Sequence, residues 1–289
     1  MINQEIISLY DEYTHKTLDR RAFLSRLAGM VGGMTAATAL VSSLEASAAA
    51  PQQISPSDAR LETETIRFQG TNGEIRGYAA RPKNAGALPV VIVIHENRGL
   101  NKHIEDVARR MALEGFFAVA PDMLSPLGGT PEDADAARGM IAKLIPGETI
   151  QNLRAVLAFL AKDSRGNGRV GAVGFCWGGG VVGDFAASEP NLSAGVVYYG
   201  RQPKSEEVPN IATPLLLHYA GLDERVNAGI PAFEEALKKY GKQYELFRYE
   251  GAQHAFNNDT SEARYNKEAA ETAWKRTVEF FRARLGANK

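Results

Sequence analysis

Three residues in this chain have types and spacings that could do chemistry together: Cys176, Asp223 and His254. Cys176 sits in Gly174-Phe175-Cys176-Trp177-Gly178, directly after the apolar run RVGAVGF (169–175) and before Gly179-Gly180. This is G-x-S-x-G with Cys in the Ser position, the signature of a tight strand-to-helix turn that exposes a nucleophile. Flanking glycines let strand and helix approach closely, and a helix N-terminus beneath the sulfur favours its thiolate. The bland alternative is a buried Cys filling a tight turn. A nucleophile of this kind needs a base, and the base needs an orienting acid. Asp223 follows the apolar run PLLLHYAG (214–221), and His254 follows YELFRY (244–249). Alone, Asp223 would read as a turn residue and His254 as a solvated loop histidine. The order nucleophile, acid, histidine singles them out.

A fourth candidate lies after PVVIVIH (89–95), in His95-Glu96-Asn97-Arg98-Gly99-Leu100. The loop at this place supplies a second backbone donor to an oxyanion, and Glu96 is an acid where many esterases carry Gly. A carboxylate there can hold the thiol proton until substrate arrives. The other histidines read differently. His15 belongs to the N-terminal segment, His103 opens a helix, His218 is inside a strand, and His95 ends one beside the expected site. No pair of them has metal-ligand helical spacing, so neither a metal nor another cofactor is expected.

Elements that position these residues are legible along the chain. TETIRFQ and EIRGYAA, joined at Thr71-Asn72-Gly73, predict a hairpin over 63–81. Continuous apolar runs at 89–95, 116–121, 169–175, 194–200 and 214–221, with 244–249, predict buried strands. Helical spacing is expected over 103–114, 131–144, 149–162, 181–187, 228–240 and 263–285. The alternation predicts one α/β domain with a mostly parallel sheet and helices on both faces. Active sites of such sheets lie at the carboxyl ends of the strands, where all four candidates fall.

Composition narrows the function class. The 289 residues are 44% hydrophobic and 23% charged, and 33 Lys+Arg against 34 Asp+Glu give a net charge of -1. No basic excess points to nucleic acid. A single Cys allows neither an intramolecular disulfide nor a Cys-based zinc site.

The first fifty residues differ from the rest, so the expected organisation is a segment 1–50 and a domain 51–289. Leu27–Leu44 carries no charge, follows Arg20, Arg21 and Arg26, and precedes the small residues of Ala46-Ser47-Ala48-Ala49-Ala50-Pro51. That is the pattern of an export signal, and LDRRAFLSRL resembles the twin-arginine signature. The Gly, Ser and Thr within the run argue against a stable membrane span. Against export, residues 1–26 have no net positive charge, and Ile6, Leu9, Tyr10 and Tyr13 share one side of an amphipathic helix. The alternative is a retained helical arm packed on the body or on a second subunit, as in a homodimer. Export implies a periplasmic location, and retention a cytoplasmic one. Without residues 1–50, which hold four basic and five acidic side chains, the body is neutral.

With these residues in place, the chain resembles the dienelactone hydrolase family of the α/β-hydrolase fold. The matching elements are GFCWGG around Cys176, HENRGLN with Glu96, PDML (121–124), GLDERV with Asp223 and GAQHAF with His254, from about Thr63 to the last helix. The resemblance implies a cofactor-free Cys-His-Asp hydrolase of small esters or lactones. Cys176 would attack the carbonyl, and His254, oriented by Asp223, would protonate the leaving oxygen and activate water. Glu96 would partner the resting thiol, and the backbone N–H groups of Trp177 and Asn97 would form the oxyanion hole. Family members that act on dienelactone grip its carboxylate with two Arg at positions that here read Pro126 and Asn258, neither of which pairs with an anion as Arg does. Arg98 and Arg201 are candidate substitutes, or else surface charges. The competing reading is a non-catalytic, export-targeted binding protein on the same fold.

Overall fold

The protein, seen in a computed structural model, is described for residues 2–15, 18–45, 50 and 52–286. The expected small-residue processing site falls on 46–51, of which 46–49 and 51 lie outside the described residues. Eight strands form one sheet: β1 (Leu61–Gly70), β2 (Gly73–Pro82), β3 (Leu88–Ile94), β4 (Phe117–Pro121), β5 (Gly166–Phe175), β6 (Ala194–Tyr198), β7 (Leu215–Ala220) and β8 (Tyr244–Tyr249). Their order is β1-β2-β4-β3-β5-β6-β7-β8. β1 and β2 pair antiparallel across the Thr71–Asn72 turn, β2 joins β4 antiparallel, and the rest of the sheet is parallel. This is the α/β-hydrolase fold.

The central strands are apolar throughout because both faces are covered. On one side Leu153, Val156 and Leu160 of α6 (Pro146–Leu160), Val182 and Phe185 of α7 (Trp177–Ser188) and Phe233 of α9 (Ile230–Lys239) pack on Ile92, Ile94 and Val197. On the other, Ile104, Val107 and Met111 of α4 (Lys102–Leu113) and Ala273 and Phe281 of α10 (Lys267–Leu285) pack on Val91, Val93 and Val173. α5 is Ala134–Ile141, and α8 is the single turn Glu224–Asn227.

Helix starts are where the structure departs from the expected boundaries. α7 begins at Trp177, not Val181, because Gly178–Gly180, poor helix formers in isolation, are held helical by packing. A Cβ at Gly178 would lie 2.5 Å from the carbonyl oxygens of Ile94 and His95. α5 and α10 begin later than expected, where Asp133 and Asn266 accept the N–H groups of Ala136 and Ala269 as caps.

The N-terminal segment folds as three helices, α1 (Gln4–His15), α2 (Arg20–Val31) and α3 (Met34–Leu44). The apolar face read from the sequence is buried: Ile6, Leu9, Tyr10 and Tyr13 join Phe23, Leu27, Val41 and Leu44 in a core of their own. Among the described residues no single helix is long and apolar enough to cross a membrane. α2 and α3 reach that length only as a pair, bent by 109° at Gly32–Gly33.

Candidate active site

Cys176 is the single residue between β5 and α7, so the chain must reverse direction across it. It does so at φ 55°, ψ −113°, outside the regions that L-residues ordinarily occupy. A Cβ at Gly174 would lie 2.1 Å from the carbonyl oxygen of Gly178, so only glycine lets the helix start this close to the strand. Among the described residues, the other non-glycine positions with positive φ are Asn84, Tyr199 and Ala255. Tyr199 follows β6 and Ala255 follows His254, so three of the four strained positions border one site. Strain of this kind costs about 1–3 kcal/mol per residue and persists only where the surroundings enforce it.

His254 and Asp223 meet as the sequence order requires. His254 Nδ1 lies 2.5 Å from Asp223 Oδ2, and both side chains are buried. Asp223 Oδ1 accepts the Val226 N–H at 3.2 Å, which fixes the carboxylate at the start of α8. Burial alone would lower the basicity of His254, but the charges of Asp223 and Cys176 outweigh it and raise its pKa. Burial likewise pushes the Asp223 pKa up, and the His254 charge with the neighbouring Arg225 brings it below the ordinary value. The opposite shifts describe one ion pair. His254 Nε2, turned away from Asp223, is buried and has no hydrogen-bond partner among the described residues.

The partner of the sulfur is unexpected. His15, the last residue of α1, places Nε2 3.1 Å from Cys176 Sγ, and its ring meets that of His254 edge-on at 4.6 Å. Its Nδ1 faces the Asp11 carbonyl oxygen at 3.1 Å and Thr14 Oγ1 at 2.9 Å. Burial, reinforced by the charges of His254 and Arg225, keeps His15 well below the ordinary histidine pKa. The arm is fastened to the loops of the site. Asn97 Nδ2 donates to the Thr14 carbonyl at 3.0 Å, Arg98 donates to the Tyr10 hydroxyl, and Arg138 Nη2 donates to the Tyr13 hydroxyl at 2.9 Å. His15, which the sequence placed only in the N-terminal segment, thus lies in the site.

Glu96 also differs from expectation. Its carboxylate accepts Asn258 Nδ2 at 2.8 Å and the Tyr199 hydroxyl at 3.4 Å, and no hydrogen bond joins it to the thiol. Asn258, at a position where the resemblance led us to expect Arg, thus holds Glu96 beside the site. Trp177 opens α7, so its N–H is one of the first-turn donors without an intrahelical acceptor, and its indole stacks on His95 at 5.2 Å. Arg98 is buried against the arm, and Arg201 is held by Asp184, with Nη1 to Oδ1 at 3.1 Å.

A cavity of about 470 Å³ opens over the sulfur, with Tyr13, His15, Asn97, Arg138, Arg201 and Arg225 in its wall. Sequence reasoning missed Arg138, Arg225 and His15. Arg225 lay inside the GLDERV motif that was read only for Asp223, and Arg138 has no local motif. For His15 the available signal was the amphipathic face of α1, which demanded a covering surface without saying which.

Known proteins resemble the chain over most of its length. The dienelactone hydrolase family model matches residues 75–285, and a YqhI-like family model matches residues 1–32. A carboxymethylenebutenolidase-like protein of Salmonella typhi is 32% identical over 259 residues, 84% of this chain and 95% of that protein. One of Saccharolobus solfataricus is 34% identical over 253 residues, 75% and 97% of the two chains. Among solved structures, a dienelactone hydrolase-like protein from Klebsiella pneumoniae superposes with a TM-score of 0.70 at 29% identity, covering 76% of this chain and 98% of its own. A dienelactone hydrolase-like promiscuous phosphotriesterase from metagenomic libraries shares the fold at TM-score 0.70 and 22% identity, covering 79% and 100%.

Proposed function

The chain belongs to the dienelactone hydrolase family, and from that premise we propose that it hydrolyses small esters or lactones through Cys176, His254 and Asp223. One observation carries the reading: Cys176 stands strained at the N-terminus of α7, with the unpartnered Nε2 of the Asp223-bound His254 close by.

The steps follow from those positions. The Cys176 thiolate attacks the substrate carbonyl carbon, and the oxygen takes up the negative charge. Backbone N–H groups of Trp177 and Asn97 receive that oxyanion, each such donor being worth about 10²–10³ in rate. The tetrahedral intermediate collapses to a thioester, and His254 gives its Nε2 proton to the departing alkoxide. Water then loses a proton to His254 and attacks the thioester, which releases the acid and restores the sulfur. In a lactone the alkoxide stays tethered, so the product is one hydroxy acid. Glu96, held by Asn258 and Tyr199, sets its carboxyl group beside the site without engaging the resting thiol. Arg138, Arg201 and Arg225 in the cavity wall favour substrates that carry a carboxylate. Arg98 serves the arm instead.

The docking of α1 into the site supports a retained arm over a cleaved leader, with residues 1–50 as the arm and 51–289 as the catalytic domain. An intact mass of the native protein checks this directly. A non-catalytic binding protein is not favoured, since membership of a hydrolase family and the buried His254–Asp223 pair beside Cys176 support turnover. The decisive assay is turnover of p-nitrophenyl acetate beside a panel of lactones with and without a carboxylate. Cys176→Ala should abolish turnover, and undiminished activity in that variant would sink the proposal.

A further inference from the structure

His15, Cys176 and His254 come from a helix of the arm, the strand-to-helix turn and the loop after β8. Their donor atoms, two Nε2 and one Sγ, lie within 4.8 Å of one another. Both imidazoles are turned the same way. His254 has Nδ1 on the Asp223 carboxylate and His15 has Nδ1 against the Asp11 carbonyl, so each presents Nε2 to the sulfur. An oxygen acceptor behind Nδ1 is the arrangement that orients a histidine whose Nε2 binds a metal. His254 Nε2 is an independent sign: it belongs to a side chain 1% exposed, points into the cluster and has no hydrogen-bond partner among the described residues.

We propose that His15, Cys176 and His254 form a binding site for a borderline-soft divalent cation of the zinc type, and that its occupation switches hydrolysis off. One thiolate and two imidazoles suit zinc, which prefers tetrahedral nitrogen and sulfur ligation, and three protein ligands leave a fourth position for water. On binding, metal–sulfur and metal–nitrogen bonds form, and any protons carried by Sγ and the two Nε2 atoms pass to solvent. The sulfur lone pair is then committed to the metal, so it no longer attacks a carbonyl. The inhibitory half of the proposal rests on Cys176 being the nucleophile, whereas the binding half does not. The sequence arguments against a metal concerned His pairs on one helix and sites built from several Cys, whereas this cluster uses one Cys with two His. These ligands come from separate elements, with His15 and Cys176 161 residues apart.

Metal-free full-length protein titrated with Co²⁺, and with Zn²⁺ against a chromophoric chelator, tests the site by spectroscopy. One Co²⁺ per chain is expected, with tetrahedral d–d bands and a thiolate-to-cobalt charge-transfer band. His15→Ala should weaken binding by about 100-fold, at the upper end of what even an outer-shell partner contributes. His15→Asn serves where alanine loosens α1, and Cys176→Ser should remove the charge-transfer band. In parallel, Zn²⁺ should suppress ester turnover, chelator should restore it, and the His15 variants should need correspondingly more metal. Affinity unchanged by both His15 substitutions, a cobalt spectrum without the thiolate band, or no binding below millimolar metal overturns the site. Tight binding with the expected spectrum but no effect on turnover overturns the switch alone. The Cys176→Ala ester assay separately decides whether Cys176 is the nucleophile.

Discussion

Asp223 uses its two oxygens for different tasks: Oδ2 meets His254 and Oδ1 accepts the Val226 N–H. Asn at this position keeps one carbonyl oxygen and replaces the other with an NH₂ group. If that oxygen stays on Val226, the NH₂ faces His254 Nδ1 and turns the imidazole to the wrong tautomer. Asp223→Asn is therefore expected to keep the fold and lower kcat by about 10³–10⁴, the scale set by the analogous change in serine hydrolases. Steady-state ester kinetics beside thermal melts checks it. A loss below about tenfold would mean that something else orients His254. At this scale the site was partly legible from sequence. Cys176, Asp223 and His254 are marked by local motifs, each following its own strand. The resting partner of the sulfur was not legible, because it depends on where a distant helix docks. Glu96 was found, but its contacts required knowing that Asn258 would face it.

At the scale of elements, the arm has a core distinct from the sheet, and Phe23 is at its centre. Its ring is fully buried, stacks on Tyr13 at 4.5 Å and meets Tyr10 edge-on at 6.0 Å, the two tyrosines that Arg138 and Arg98 hold to the body. Truncating a buried Phe costs about 3–5 kcal/mol, and here the cost falls on the arm because Phe23 packs within the arm's own cluster. Phe23→Ala should raise amide exchange in α1–α3, leave the central strands protected, and speed iodoacetamide alkylation of Cys176 as His15 leaves the sulfur. Equal loss of protection in arm and sheet, with unchanged alkylation, would show that the arm is not a separable cover. The sequence revealed the amphipathic face of α1, yet a charge-free run after paired arginines also resembles an export signal. Composition alone does not separate a leader from a folded helical arm. α7 was similarly misjudged at its start, since glycines that break helices in solution are here required by close contact, Gly178 with the end of β3 and Gly179 with Tyr198 and Gly200.

For the whole molecule, uninterrupted apolar runs announced a sheet covered on both faces, and that reading located the strand ends where His95, Cys176, Asp223 and His254 gather. What runs cannot announce is how distant polar groups tie the periphery together. Asp259, beyond the His254 loop, is the clearest case. It accepts Gln53 Nε2 at 2.6 Å and Arg110 Nη2 at 2.7 Å, and lies 3.2 Å from His103 Nδ1. Two stretches remote in sequence, the segment at Gln53 and α4, thus converge on one carboxylate. Burial pushes its pKa up, but the bonds from His103 and Gln53 and the charge of Arg110 outweigh it, leaving the folded-state pKa well below the ordinary value. A carboxylate depressed on folding contributes stability that is present above its unfolded pKa of about 3.9 and lost as pH falls toward the folded value. The protein should therefore weaken progressively below about pH 4. Asp259→Asn should already be less stable at pH 7 and should lose less on acidification. Urea unfolding midpoints from pH 7 to pH 2.5 measure both. Curves for the two proteins that stay parallel over that range would assign the acid sensitivity to other carboxylates and leave Asp259 a bystander in holding α4 to the site.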